Sequence, residues 1–411
     1  MKLKKHISET DVSIEIESPF YFNELFFSRT DGRGKIQSGN EVFQRISQYS
    51  WSELAGRPHN IIRHPAMPRA VFWLLWDRLK KGLPTGAYVK NRAKDGRFYW
   101  VYAIITPCEG GFLSVRLKPG SALFDVVQAE YAKLLRAEGE EELSPAESAR
   151  LLLARLSELG FDSYDAFMAE SLVAEFASRE EQLERRGKQT LPLYARLIPS
   201  TGRLLRAARV ITEGYQAYRF VPLNLLVHAG QMGDAGAAIA TISNNYNLLS
   251  DQIQQGLRDF LDAAVRVAHT IHIGAFLLAT SYLQQEVVNG FQNEEPIVGV
   301  DHPREQALLR DQLSTFQAHA LKSLGDMERE LKSFFDRASE MKRLALGLAA
   351  IRVMGKVETG RLNATGLKDL ITDLEAFQEI LQSGLSDILH VNNGLRSDAA
   401  QLMEAYSLEQ A

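Results

Sequence analysis

At 411 residues the chain is long enough for two or three domains, each burying its own core, and its 45% apolar and 24% charged content is ordinary for a water-soluble globular protein. A net charge of −4 with no basic face gives no reason to expect a nucleic-acid partner. The single cysteine, Cys108, excludes an intramolecular disulfide, and no Cys/His spacing suits zinc, so a reducing cytoplasm is the expected setting.

Residues 1–19 read as an N-terminal extension, basic over 1–6 but without the apolar run of a secretory signal. Residues 20–120 alternate short strands and helices. Glu24–Ser28 is a strand candidate, the turn chemistry of Thr30-Asp-Gly-Arg-Gly34 follows, and Lys35–Gln37 is a second short strand. Asn40–Ile46 begins a helix with Phe43 and Ile46 at i, i+3. Pro68 suits the first turn of the next helix, whose Phe72, Leu75, Trp76 and Leu79 form one apolar face. Gly86–Arg92, Phe98–Ile105 and Gly111–Leu117 then read as three antiparallel strands, the first two joined by a Lys-Asp-Gly turn at 94–96.

After Pro119 strand signals vanish. Residues 121–195 read as a helical linker or subdomain, punctuated by Ser144-Pro145 and Gly160-Phe161-Asp162, with a further break at Gly187–Pro192 and Pro199. Residues 196–411 carry two long pairs of helices with turns near 230–236 and 354–360, joined by the polar loop Asn289–Pro303. The proline-free stretch 237–288 would span roughly 75–80 Å as one helix, a length that suggests coiled-coil hairpins. The best membrane candidate, 263–283, is interrupted by Arg266, His269 and His272, so a buried helix is expected rather than a span. His269 and His272 have a spacing compatible with metal ligation, but no third ligand stands nearby and an ordinary bundle helix is the plainer reading. No nucleophile–base arrangement, Walker motif, cyclase or phosphodiesterase signature occurs, and catalysis is not expected.

Residues 56–68 read Gly-Arg-Pro-His-Asn-Ile-Ile-Arg-His-Pro-Ala-Met-Pro, ahead of a helix with Phe72, Trp73 and Trp76 and of Val-Lys-Asn-Arg-Ala-Lys-Asp-Gly-Arg-Phe-Tyr-Trp-Val at 89–101. This block resembles the PAS domain of bacterial aerotaxis receptors, redox sensors that hold a flavin. The resemblance implies an FAD site lined by Asn40, His59, Asn60, Arg63, His64, Phe72, Trp76, Asn91 and Trp100. Arg63 offers a planar donor fork for a phosphate or a flavin carbonyl, and Asn91 can donate and accept at the pyrimidine edge. Trp76 and Trp100 suit ring contact and plain core packing equally. His59 and His64 offer an alternative, axial ligation of haem, which some PAS domains bind. Where the family commonly has Asp, this chain has Ala66, which removes a carboxylate partner for Arg63.

Pro222-Leu-Asn-Leu-Leu-Val-His-Ala-Gly-Gln-Met-Gly-Asp-Ala-Gly236 resembles the hairpin tip of methyl-accepting chemoreceptors, with Asn224, Gly233, Asp234 and Gly236 on matching positions. His228 stands where the family has Glu and Gln231 where it has Arg, at positions by which the family contacts its kinase and adaptor. A weaker echo over 346–360 includes Glu358 and Gly360. The expectation is an α+β PAS domain followed by an all-α domain of long antiparallel coiled-coil hairpins, four-helix-bundle-like, in which two diverged repeats pack together. The implied function is soluble, cytoplasmic, chemotaxis- or aerotaxis-like signal transduction, sensing redox state or oxygen through FAD. The implied partners are a chemotaxis histidine kinase or adaptor, with no nucleic acid, no membrane span, and a monomer or a homodimer through the PAS domain or the bundle. The alternative is a cofactor-free or haem-binding PAS protein acting as an interaction scaffold.

Overall fold

The computed structural model of the chain describes residues 14–185, 188–362 and 365–410. Six strands form one sheet: β1 (Ile14–Glu17), β2 (Leu25–Asp31), β3 (Ile36–Gly39), β4 (Thr85–Arg92), β5 (Arg97–Cys108) and β6 (Gly111–Leu117). The order is β1-β5-β6-β2-β3, with β4 on the other side of β5, and every pair except β1–β5 is antiparallel. β1 lies inside the stretch expected to be an extension; Ile-Glu-Ile-Glu alternates with the period of a strand and pairs with the start of β5.

Between β3 and β4 the chain makes α1 (Glu41–Ser47), α2 (Trp51–Leu54), a 3₁₀ turn at His59–Ile62 and α3 (Arg69–Lys80) on one face of the sheet. Pro68 is the N-cap of α3 rather than part of its first turn. The other face is covered by α4 (Ala122–Glu140), which with α5 (Pro145–Glu158) and α6 (Tyr164–Gln182) follows the sheet. Ser144 and Glu147 form a capping box that starts α5, as the Ser-Pro signal implies. The wholly buried Glu175 of α6 accepts from the Tyr88 hydroxyl at 2.7 Å, the Gly120 amide at 2.7 Å, the Ser121 amide at 3.1 Å and the Ser121 hydroxyl at 2.5 Å. A carboxylate at the first turn of α4 satisfies donors that the helix itself leaves open.

Four long helices follow: α7 (Thr190–Tyr218), α8 (Val221–Gln231) continuing its arm, α9 (Ala237–Gln292), α10 (His302–Leu362) and α11 (Thr365–Gln410), with α7 and α8 counted as one arm. Pro199, read as a break, sits inside α7. A proline there costs about 3 kcal/mol, which burial of Leu197, Ile198, Leu204 and Leu205 on either side offsets. The turn expected near 354–360 is instead helical: α10 runs through it to Leu362. The helical propensity of 346–362 outlasts its three glycines, Gly347, Gly355 and Gly360. The segment 237–288 is continuous, as its lack of proline implies. Its helix is long and apolar enough to cross a membrane by length and composition, and 72% of the most apolar window is buried inside the protein.

The chain divides into two compact units. The first takes residues up to 195 together with 272–322, so the end of α9 and the start of α10 belong with the sheet rather than with the remaining helices. Phe27 of β2 meets Phe291 edge-on at 5.0 Å, and Arg29 pairs with Glu305. Gln312 donates to the Thr106 hydroxyl at 3.2 Å and the Pro107 carbonyl at 3.0 Å. The buried Arg179 of α6 forks onto Glu286 at 2.9 and 2.8 Å.

The second unit, 196–271 with 323–411, is four-helix-bundle-like. Phe260 of α9 stacks on Phe334 of α10 at 4.8 Å, and Tyr215 of α7 meets Phe377 of α11 at 5.8 Å. Gly384 on α11 and Gly214 on α7 make a close seam: a Cβ would come within 2.6 Å of Ile211 at the first and 2.9 Å of Ile380 at the second. These glycines admit a neighbouring helix, which is their packing role.

Candidate ligand cavity in the sheet domain

Alternation along the strands sends one set of side chains inward. Ser28 and Thr30 of β2, Val89 and Asn91 of β4, Ala103 and Ile105 of β5, and Phe112, Ser114 and Arg116 of β6 line a cavity of about 240 Å³. Its lid is the face of α3 read from the sequence, Phe72, Leu75, Trp76 and Leu79, closed by Pro58–Asn60, Arg63 and the Arg33–Gly34 turn. The volume lies a little below the roughly 300–1,000 Å³ typical of small-molecule sites, which suits one planar ring system with any tail at the rim.

Of the residues expected to line a flavin site, His59, Asn60, Arg63, Phe72, Trp76 and Asn91 come together around this cavity. Trp76 meets Phe112 edge-on at 5.7 Å, giving two aromatic walls. The Arg63 guanidinium lies 3.4 Å from the centre of the Phe72 ring, so an aromatic face takes the place left by Ala66. A backbone bridge joins Arg63 to Asn91 and fixes the loop against β4.

Three expected residues are elsewhere. Asn40 caps α1: its Oδ1 accepts from the Phe43 and Phe27 amides at 3.4 and 3.2 Å, and its Nδ2 donates to the Leu25 carbonyl at 3.1 Å. Cap chemistry therefore uses up its polar groups. Trp100 points to the opposite face of the sheet, against Phe124 at 5.3 Å and Tyr131 at 6.3 Å, because its position in β5 has the parity of the outer residues. His64 is buried beside the cavity; its Nδ1 accepts from the Ala66 amide at 3.0 Å, and its Nε2 has no hydrogen-bond partner among the described residues. Burial, with Lys90 and Arg92 nearby, pulls it down to about 4.

The residue that sequence reasoning missed is Arg116. It is 5% exposed, donates to the Ser28 hydroxyl at 2.9 Å, lies 2.9 Å from His59 Nε2 and sits over the Phe26 ring at 5.2 Å. No carboxylate pairs with it among the described residues, and burial pulls the guanidinium down to about 10. His59 is held well below its ordinary range by burial and then by Arg116, so its Nε2 is the acceptor in this contact. With Nε2 so engaged, His59 is poorly placed as a haem ligand. Two further polar atoms facing the cavity, Asn91 Nδ2 and Ser114 Oγ, are buried without a hydrogen-bond partner. The available signal was the pattern Phe112-x-Ser114-x-Arg116, polar residues on the inner face of a strand whose outer face is Leu113, Val115 and Leu117.

At the first hairpin tip, Asn224, His228, Gln231 and Asp234 are exposed. Gly233 has φ +58°, and a Cβ on Gly236 would come 2.0 Å from the Ala229 carbonyl oxygen, so the reversal at 232–236 requires glycine. Glu358 pairs with Arg361 within α10, and Gly360 is exposed on the same helix.

The family model described as the PAS fold matches residues 37–112. The aerotaxis receptor of Escherichia coli (strain K12) is 38% identical over 122 residues, 28% of this chain and 24% of that protein. The nitrogen fixation regulatory protein of Klebsiella pneumoniae is 31% identical over 80 residues, 20% of this chain and 16% of that one. The chain thus spans a quarter or less of the length of these curated relatives. Among solved structures, the light state of the blue-light photoreceptor Aureochrome1 LOV is similar over 28% of this chain and 89% of its own, at 21% identity and a TM-score of 0.22. The N-terminal sheet with its helical lid is a PAS domain, homologous in this region to an aerotaxis receptor and followed by long helices that make up most of the chain.

Proposed function

We propose that this chain is a soluble, cytoplasmic, non-catalytic sensor of redox state or oxygen that holds FAD in its PAS cavity and reports through the helices. The observation that carries this reading is the cavity itself: two aromatic walls, two orphaned polar atoms at Asn91 and Ser114, and a buried cation in a region homologous to a protein named an aerotaxis receptor. Buried polar groups without partners are costly, and a ligand with donors and acceptors on its edge satisfies them. Trp76 and Phe112 would pack on the ring, Asn91 and Ser114 would meet its polar edge, and Arg63, Asn60 and Arg33 at the rim suit the phosphates. Bound there, FAD supplies reversible two-electron redox chemistry.

The report would leave along β2. Ser28 touches Arg116 on the cavity side, whereas Phe27 and Arg29 touch Phe291 and Glu305 on the helical side. A change in charge at the cavity biases hydrogen bonds on one face of a strand whose other face holds α9 and α10, the kind of two-sided element a switch requires. Output to a chemotaxis-type kinase or adaptor is part of the same proposal.

The visible spectrum of the purified protein, in air and after reduction, tests it. Flavin bands that bleach on reduction support the reading; Arg63→Ala and Trp76→Ala should each lower flavin content, and unchanged occupancy in both would remove this site from consideration. A second reading, a cofactor-free interaction scaffold, is favoured by Leu223 and Val227 on α8 and Val353 and Val357 on α10, all more than half exposed. A colourless preparation that cannot be reconstituted with FAD decides for it.

A further inference from the structure

A guanidinium removed from water is expensive unless an anion meets it. Among the described residues Arg116 is met by a hydroxyl, a neutral imidazole and an aromatic face, and its position on β6 leaves it lining the cavity. The titratable and charged groups around it are His59 on the 3₁₀ turn, Tyr99 on β5, and Arg63 and Arg33 at the rim. None of these is a carboxylate. The missing counter-charge therefore has one place from which to come, the occupant of the cavity.

Resting on the flavin reading above, we infer that Arg116 is a specificity-determining residue that makes the cavity prefer a guest carrying net negative charge on its ring, and hence hold reduced flavin more tightly than oxidised flavin. The balance is explicit. Two electrons from an added reductant such as dithionite and one proton from solvent leave the bound ring with one net negative charge, which Arg116 neutralises in place of a second proton. An opposite charge close to an ionising group shifts its equilibrium by about tenfold to a thousandfold, so the preference expected from Arg116 is at least about tenfold.

The experiment uses the full chain reconstituted with FAD and equilibrated with redox dyes of known potential. In the wild type, uptake of about one proton per two electrons is expected to persist below neutral pH, where free reduced flavin takes up a second proton. Arg116→Gln should lose about tenfold or more of the preference for reduced flavin, a fall of about 30 mV per tenfold for this two-electron couple. Arg116→Lys should recover part of it. A purely structural role for Arg116 would instead lower flavin content in both variants. Two protons per two electrons in the wild type, or an unchanged preference in Arg116→Gln with flavin retained, overturns the inference; the wild-type measurement needs no variant to fold. If the wild type takes up no flavin, the flavin reading fails, and the charge inference is judged on the anionic dye anilinonaphthalene sulfonate. Binding about tenfold weaker to Arg116→Gln than to wild type supports it, and equal binding overturns it.

Discussion

Replacing Glu305 by Gln tests whether the start of α10 is held to the sheet by charge. Its carboxylate is 3% exposed and accepts from Arg29 Nε at 2.8 Å, Arg29 Nη2 at 2.5 Å and the Ser38 hydroxyl at 2.6 Å. Gln keeps one acceptor oxygen and turns an amide NH₂ towards a guanidinium, so about two charge-assisted bonds are lost, each worth roughly 1.5–3 kcal/mol. Arg29 retains some access to water, which returns part of that, and a net cost of about 3 kcal/mol is expected, at the lower end of the 3–5 kcal/mol typical of a broken buried pair. All four tryptophans, Trp51, Trp73, Trp76 and Trp100, lie in the first unit, so urea unfolding followed by their fluorescence reports that unit alone. With a urea slope of about 1–3 kcal/mol per molar, the midpoint should fall by about 1–3 M. Arg29→Met should cost a similar amount, and the double variant should cost clearly less than the sum. A coupling below about 0.5 kcal/mol in that cycle would refute the argument that these charges hold the helix to β2.

Glu175→Leu should destabilise the first unit by about 3–5 kcal/mol, since it strands the Tyr88 hydroxyl and the amides of Gly120 and Ser121; a urea midpoint within error of wild type would contradict this. Gly384→Ala places a methyl 2.6 Å from Ile211. Overpacking of about 1–3 kcal/mol should exceed the roughly 1 kcal/mol that alanine gains as a helix former, and Ile211→Val should relieve it in thermal melts followed by circular dichroism. His64, held neutral in the folded chain down to about 4 by burial and then by Lys90 and Arg92, is protonated first in the unfolded chain. Its folded pKa is depressed, so stability is lost as pH falls from about 6.5 towards 4, by about 3 kcal/mol at most. His64→Gln should flatten that limb of the stability curve, and an unchanged limb would exclude His64 as its source.

The strands and α3 were legible because alternation and a helical apolar face are local signals, and the face Phe72, Leu75, Trp76 and Leu79 is the one that closes the cavity. Asn40 lies outside the cavity lining as a cap of α1; a cap and a ligand contact use the same side-chain chemistry, and the sequence does not show the backbone around Phe27 and Phe43 that engages it. Trp100 stands on the face away from the cavity because register is not local: one residue of parity moves a side chain to the other face of the sheet. Arg116 is invisible to a search for conspicuous motifs, since its importance lies in having no carboxylate opposite it, which only the fold can show. The alliance of residues 272–322 with the sheet was likewise beyond reach, because Phe291, Glu305 and Gln312 find partners some two hundred residues away or more. At the hairpins, glycine is the sequence's sign of reversal. It holds at Gly233 and Gly236, whereas 354–360 stays helical although it contains Gly355 and Gly360, because each glycine costs an α-helix only about 1 kcal/mol.

Since Ser28 and Arg29 share a peptide unit, the cavity and the helices behind it are not separately adjustable. Drift at position 28 that reshapes the cavity also tilts the amide next to position 29, and constraint from the Arg29–Glu305 pair acts back on the cavity wall in return. An insertion of one residue here would exchange the two roles outright, turning the arginine into the chamber and the serine out to Glu305. Natural variants should therefore change this strand in coordinated pairs, and its length should stay fixed while loops at either end vary freely.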